Sequence, residues 1–156
     1  MRGKLILVGL ALVCLGVGAA GGLATGRSVG TWYAELRKPA WTPPGWLFGP
    51  VWTVLYASMA VAAWLVWTKA GARAAAVPLA LFAVQLALNA AWTPVFFGLR
   101  LPGPAFAVIV ALWAAIVATG AAFWHVRPVA GMLMLPYLAW VTFATGLNFA
   151  IWRLNL

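Results

Sequence analysis

One carboxylate, Glu35, stands against ten Lys and Arg in this chain of 156 residues, which has one His (His125) and one Cys (Cys14). Each scarcity removes a class of chemistry. A lone carboxylate cannot form the acid and base pair of glycosidases or aspartic proteases. One Cys and one His cannot enclose a zinc ion or an iron–sulfur cluster, so no metal site is expected. Cys14 has no intrachain partner, which removes a disulfide and any inference about redox compartment. Charged residues make up 7% of the chain, against about 25% in soluble domains. That is too little to wet a globular surface, so the chain is expected to lie in lipid. The net charge of +9 does not point to nucleic acid. Binders gather their cations into a patch or stripe, whereas these are scattered between apolar runs, as Lys and Arg are at helix ends among lipid headgroups.

What the chain has instead is long uncharged runs: Leu5 to Gly26, Pro39 to Thr68, Ala74 to Leu99, Leu101 to Trp124 and Pro128 to Trp152. Each exceeds the roughly 20 helical residues that cross a hydrocarbon core, and none alternates with the period of two of a barrel strand. The expectation is an all-α, multi-pass integral membrane protein, a bundle of five transmembrane helices. It forms one domain over residues 1–156, with spans near 5–26, 45–68, 75–98, 103–124 and 129–152. The first run follows Arg2 and Lys4 and ends near Ala19-Ala20-Gly21, which also suits a secretory signal. It is longer than the 7–15 residues or so of a signal core, which favours a retained helix. Basic residues divide five and five between the two faces, so the positive-inside rule gives no orientation.

Gly18, Gly22 and Gly26 on the first span, and Ala83, Ala87 and Ala91 on the third, repeat the small-xxx-small spacing that lets helices approach closely. Either stripe can serve inside the bundle or against a second copy. Arg27 to about Pro44 is a long connection carrying Trp32, Tyr33, Glu35, Arg37, Lys38 and Trp41, and loops of that length are more often functional than mere links. Pro50, Pro94 and Pro136 are expected to bend helices or open their hydrogen-bond ladders, while Pro78 and Pro104 sit near helix starts.

The polar residues at membrane depth are few. Gln85 and Asn89 share a helical face with Trp92 and Phe96, and Asn148 shares one with Tyr137, Trp140 and Ala144. A buried amide needs a partner, so these three either bond across helices or meet a ligand, and one residue can do both. Of eleven Trp, Trp32, Trp67, Trp124 and Trp152 suit interfacial anchors, and Trp113 suits core or lipid-facing filler. Trp52 with Tyr56, and Trp140 with Tyr137, suit the walls of an aromatic pocket for a flat, greasy ligand.

These residues carry a resemblance. Trp32-Tyr33-x-x-Leu36-x-Lys38-Pro39-x-Trp41-x-Pro43-Pro44-x-Trp46-x-Phe48, followed by Trp52-x-x-Leu55-Tyr56, resembles the first loop and second helix of the TspO/MBR family, the tryptophan-rich sensory proteins and translocator proteins. Gln85-Leu86-x-Leu88-Asn89-x-x-Trp92-x-x-x-Phe96-Phe97 is similar to its third helix. Pro136-Tyr137-x-x-Trp140 and Ala144-Thr145-x-Leu147-Asn148 are similar to its fifth. The resemblance runs in order along nearly the whole chain and is to bacterial-type members, implying a bacterial cell membrane. It implies a bundle, commonly a homodimer, whose pocket under the first loop takes protoporphyrin IX, haem-type tetrapyrroles and synthetic benzodiazepine-type ligands. No covalent cofactor is implied. The pocket would involve Tyr33, Trp41, Trp52, Tyr56, Gln85, Asn89, Trp140, Ala144, Leu147 and Asn148. Trp52 and Trp140 match the two tryptophans associated in some bacterial members with light-dependent porphyrin breakdown. Mammalian members also bind cholesterol, through a motif that here runs Leu147, Phe149, Arg153, without its tyrosine hydroxyl.

Porphyrin suits these residues better than a sterol. Aromatic faces stack on the macrocycle, and Arg37 or Lys38 would meet a propionate, unless they contact lipid phosphate instead. Three functions follow: a tetrapyrrole-binding sensor, carrier or stress regulator; a light- and oxygen-dependent porphyrin-degrading enzyme using Trp52 and Trp140; or a sterol or porphyrin transporter. Transporters ordinarily show mid-membrane charge pairs and repeated halves, and neither is seen here.

Overall fold

A computed structural model describes residues 2–156, with the side chains of all except Arg2 and Arg27. The helices, in order, are α1 (Arg2–Val29), α2 (Trp32–Glu35), α3 (Phe48–Ala74), α4 (Ala76–Thr93), α5 (Pro102–Val126) and α6 (Pro128–Leu154), and there is no strand among the described residues. All but α2 lie in the 5 segments long and apolar enough to cross a membrane. A single 3-10 turn, Gly45–Leu47, leads into α3, and a π turn, Pro94–Gly98, ends α4.

Proline marks several of these boundaries. Pro102 and Pro128 open α5 and α6, where a missing N–H costs nothing. Pro50 does not bend α3 as the sequence suggests. It falls in the first turn, whose N–H groups have no intrahelical partner in any case. Pro94 does open the ladder: the Leu99 N–H reaches back five residues to the Pro94 carbonyl at 2.8 Å. Arg100, at φ 60°, then ends the turn in the left-handed region. Inside α6, Pro136 loosens the backbone bonds of the turn before it. The Ser58 hydroxyl of α3 donates to the Leu133 carbonyl in that turn at 2.9 Å. Two boundaries differ from the sequence expectation. The long connection begins after Val29 rather than at Arg27, and α3 carries on past Thr68 through Lys69 until Gly71, at φ 71°, breaks its regular geometry ahead of a last turn that holds Arg73. Lys and Arg near a span's end keep apolar stems in lipid and raise their charge to the headgroups, so a charge does not stop the helix.

The core lies among α3, α4, α5 and α6. Met59, Ala63 and Val66 of α3 pack with Phe82 and Leu86 of α4, Ile109, Leu112, Ile116 and Phe123 of α5, and Met134, Tyr137 and Val141 of α6. A smaller cluster of Tyr33, Phe96, Phe97, Ala105, Leu147 and Ile151 sits under the long connection. The first helix adds little to either. Among its described side chains only Cys14 and Ser28 are buried. The two small-residue stripes separate: Ala83, Ala87 and Ala91 are exposed on the outside of α4, while Gly18, Gly22 and Gly26 face a cavity inside the bundle.

Candidate functional site: an uncharged aromatic cavity beneath the first loop

Between α1, α3, α4 and α6 lies a cavity of about 570 Å³, within the range of about 300–1,000 Å³ typical of small-molecule sites. None of the described residues lining it is charged. The α1 wall is thin, because Gly18, Gly21, Gly22 and Gly26 interrupt the side chains of Leu15, Ala19, Thr25 and Val29 there. Opposite it stand Phe48, Trp52 and Tyr56 of α3, Trp92 of α4, and Trp140 and Ala144 of α6.

The rings brace one another. Trp52 lies 5.5 Å from Tyr56 and meets Tyr137 edge-on at 6.2 Å, and Phe48 meets Trp140 edge-on at 5.9 Å. Trp92 stacks on Phe96 at 5.3 Å. Its indole N–H donates to Asn148 Oδ1 at 3.0 Å, and Asn148 Nδ2 donates to the Pro102 carbonyl at 2.8 Å. Edge-to-face and offset pairs of this kind hold rings in fixed orientation. The walls are therefore set before any ligand arrives.

A hydrogen-bonded chain forms the floor. Tyr56 Oη donates to Asn89 Oδ1 at 2.5 Å, Asn89 Nδ2 donates to Tyr137 Oη at 2.7 Å, and Tyr137 Oη donates to Gln85 Oε1 at 3.0 Å. Gln85 Nε2 ends the chain against the Met59 sulfur at 3.7 Å. The chain joins α3, α4 and α6 with every link buried. Trp140 differs: its Nε1 is the only buried side-chain nitrogen or oxygen among the described residues that has no partner. An indole N–H in a low-dielectric site favours an acceptor, and here it belongs to a residue of the cavity wall.

The first loop leaves the cavity at Gly30 and rejoins it at Gly45, with residues 31–44 outside its lining; it forms a roof over that end and is fastened on both sides. Lys38 Nζ donates to the carbonyls of Tyr33, Ala34 and Leu36 at 2.7, 3.1 and 2.9 Å, closing the end of α2, and lies 4.9 Å from the Tyr33 ring centre. All three ammonium protons are thus used on backbone. Tyr33 packs on Phe96 and Phe97, and burial raises its phenol above the ordinary value. Asn155, beyond α6, grips Arg37 through its side-chain amide. The Arg37 N–H donates to Asn155 Oδ1 at 3.0 Å, and Asn155 Nδ2 donates to the Arg37 carbonyl at 2.9 Å.

Of the residues expected at the pocket, Trp52, Tyr56, Asn89, Trp140 and Ala144 line the cavity together. Gln85 lies one bond beneath the floor, and Asn148 stands behind Trp92. Tyr33 and Leu147 belong to the cluster under the loop. Trp41 is 51% exposed and lies edge-on to Phe143. Arg37 is exposed, and Lys38 is turned into the loop. Leu147 is buried whereas Phe149 and Arg153 are exposed, so the three sterol-motif positions do not form one surface. Sequence reasoning did not place Gly22, Gly26, Gly49, Thr53 or Thr93 on the cavity, although all line it. The four-residue glycine spacing was the available signal, and it reads equally well as a helix contact.

Five apolar helices, four of which enclose an aromatic cavity, define the class: a multi-pass integral membrane protein with an internal cavity of small-molecule size. Residues 10–153 match the TspO/MBR family, and the chain belongs to it. It is 48% identical to the human translocator protein over 126 residues, covering 80% of this chain and 75% of that protein. It is 43% identical to the Archaeoglobus fulgidus tryptophan-rich protein TspO over 149 residues, 96% of each. Against protein CrtK of Rhodobacter capsulatus it is 43% identical over 145 residues, 92% of this chain and 89% of that one.

Proposed function

We propose that the protein binds a tetrapyrrole of the protoporphyrin IX or haem type inside the membrane and acts as a sensor, carrier or stress regulator. One observation carries this reading: an uncharged cavity of about 570 Å³ walled by Trp52, Trp92 and Trp140. Flat conjugated rings gain most from aromatic walls already fixed in orientation. The partnerless Trp140 N–H adds a donor for an acceptor atom on the ligand. With no cation in the wall, ionised propionates stay at the cavity mouth. Arg37, whose guanidinium is exposed and makes no bond among the described contacts, is the loop cation available to them. Lys38 is already spent.

Two further features accompany the proposal. The exposed Ala83, Ala87 and Ala91 face of α4 offers a second copy a close approach, in keeping with a homodimer. Five spans long enough to cross a bilayer, with a Rhodobacter protein among the relatives, are in keeping with a bacterial cell membrane.

The test is a titration of purified protein with protoporphyrin IX in the dark, read by tryptophan fluorescence. Quenching is expected to saturate, and Trp140→Ala to weaken binding about tenfold, from lost stacking of roughly 1–3 kcal/mol. Unchanged affinity in a folded Trp140→Ala variant would remove the porphyrin from this cavity.

A further inference from the structure

The frame of the cavity has a gap on one side, and its edges are glycine. Towards one end of the seam between α1 and α3, Gly18 sits so close to the Tyr56 ring that a Cβ there would lie 2.6 Å from it. Towards the other end, a Cβ on Gly45 would lie 3.6 Å from Val29 Cγ1, so α1 and the start of α3 meet again. Between these contacts α1 leans on α4 and the π turn instead. A Cβ on Gly21 would lie 3.4 Å from Thr93 Oγ1, and Ser28 Oγ donates to the Phe97 carbonyl at 2.8 Å.

The seam is left with Gly22 and Gly26 on one edge and Gly49 and Thr53 on the other. All four line the cavity and all four are exposed. A Cβ on any of the three glycines would meet nothing within 4 Å. From Gly18 to Val29 the helix rises about 16 Å at 1.5 Å per residue, which sets the height of the gap. Its outward neighbours are apolar: Leu23 is 71% exposed and Val54 67%. In a membrane-spanning bundle such side chains meet hydrocarbon. The roof, by contrast, is held by three Lys38 bonds and the two Asn155 bonds.

We propose that this seam is a lateral portal, through which a flat ligand dissolved in the bilayer passes edge-on between α1 and α3 while the roof stays fastened. The inference rests on the reading of the cavity as a ligand site. Glycine holds three of the four edge positions, with Thr53 the fourth; a macrocycle edge is as thin as one aromatic ring, and a Leu-sized side chain at a glycine edge would narrow its passage. Gly22, Gly26 and Gly49 therefore set which ligands pass, by thickness, whereas Trp52 and Trp140 set how firmly they are held. Ligands reach the cavity from the lipid phase and need not cross the loop.

Stopped-flow quenching in lipid nanodiscs tests this, with neutral protoporphyrin dimethyl ester as probe. Gly26→Leu and Gly49→Leu place side chains in empty space on helices that favour Leu over Gly, so the fold is expected to stand. Association and dissociation should both slow by about tenfold while the equilibrium constant moves less than about threefold, because a portal bears on the barrier alone. Asn155→Ala, which removes one tie of the roof while the three Lys38 bonds hold, should leave both rates unchanged. Parental rates in both Leu variants, or faster exchange in Asn155→Ala, would overturn the portal and route the ligand past the loop. Faster dissociation with unchanged association in the Leu variants would also overturn it, since those side chains would then be crowding the bound ligand. Absence of saturable binding by the parent protein would remove the binding reading itself, and the portal with it.

Discussion

Helices α1 and α6 are nearly equal in length, 28 and 27 residues, and both are apolar, yet the bundle uses them in opposite ways. α6 buries eight residues, from Ala130 to Ile151, and is tied to α4 through Tyr137 and Asn148. Against α5 it comes so close that a Cβ on Gly131 would lie 2.9 Å from the Trp124 Cα. α1 buries only Cys14 and Ser28 among its described side chains, and several of its glycines face open space. Gly131 of α6 lets two helices close, whereas Gly22 and Gly26 of α1 leave a gap. Lipid supplies no hydrophobic force to pull apolar helices together, so contact and specific bonds decide which of them pack firmly. The comparison teaches that small-xxx-small spacing records permission to approach, and the neighbouring residues determine whether approach follows.

One substitution made at three places breaks or confirms this comparison with the largest effect. Gly131→Ala forces a methyl to within 3 Å of Trp124 backbone and ring atoms, which cannot yield without moving α5. It should cost about 1–3 kcal/mol, as overpacking does, seen as a lower thermal midpoint in a fixed detergent. Gly18→Ala meets only the Tyr56 ring, which can turn but is bonded to Asn89, so its cost should be smaller. Gly22→Ala meets nothing and should be neutral or gain up to about 1 kcal/mol from helix propensity. A Gly22→Ala loss as large as that of Gly131→Ala would mean that this face of α1 is packed against a neighbour, and the contrast between the two helices would be lost.

The loop supplies a second contrast, between two adjacent cations. Lys38 spends its ammonium on three carbonyls, so Lys38→Gln should loosen the roof. Hydrogen exchange over residues 33–38 should quicken, and affinity for protoporphyrin IX and for its dimethyl ester should fall together, by several-fold. Arg37 is held by its backbone with its charge free, so Arg37→Gln should leave exchange unchanged. It should weaken the free acid alone by about twofold to fivefold, the scale of one exposed ion pair. Equal losses for both ligands in Arg37→Gln would place its charge in loop folding as well.

Most of the architecture is legible in the sequence because lipid makes polarity rare. Five uncharged runs stand out at once, and Gln85, Asn89 and Asn148 are conspicuous because each must find a partner at membrane depth. Their bonds across α3, α4, α5 and α6 follow from that need, although which atom bonds which depends on helix rotation that no single run encodes. Pro94 likewise announces an opened ladder. Two parts of the site leave no such trace. Lys38 reads as a free loop cation because its use depends on three carbonyls converging at the end of a four-residue helix. The glycines of α1 read as a packing stripe because a missing side chain looks the same in sequence whether the space is filled by a neighbour or left empty. Asn155 near the C-terminus gives no signal at all, since its grip on Arg37 spans almost the whole chain.

The smallest expected effect concerns what the cavity walls do beyond holding a ring. Trp52 and Trp140 both line the cavity, and each is braced by a second aromatic, Tyr56 and Phe48. Replacing either with Phe keeps an aromatic face in the same place and removes the indole. Affinity for protoporphyrin IX in the dark should therefore change less than about threefold, within the usual 0.5–1.5 kcal/mol or so of a single aromatic pair. Under light and oxygen a bound porphyrin generates reactive species, and an electron-rich indole in contact with it is the side chain best suited to intercept them. If the walls take part in porphyrin breakdown, illuminated Trp52→Phe and Trp140→Phe should hold the ligand as the parent does and yet lose the parent's defined product, resolved by chromatography and mass. If the parent bleaches porphyrin no differently from empty detergent micelles or from the two Phe variants, the indoles serve as walls only. The aromatic side of the cavity then differs from the glycine side in grip alone.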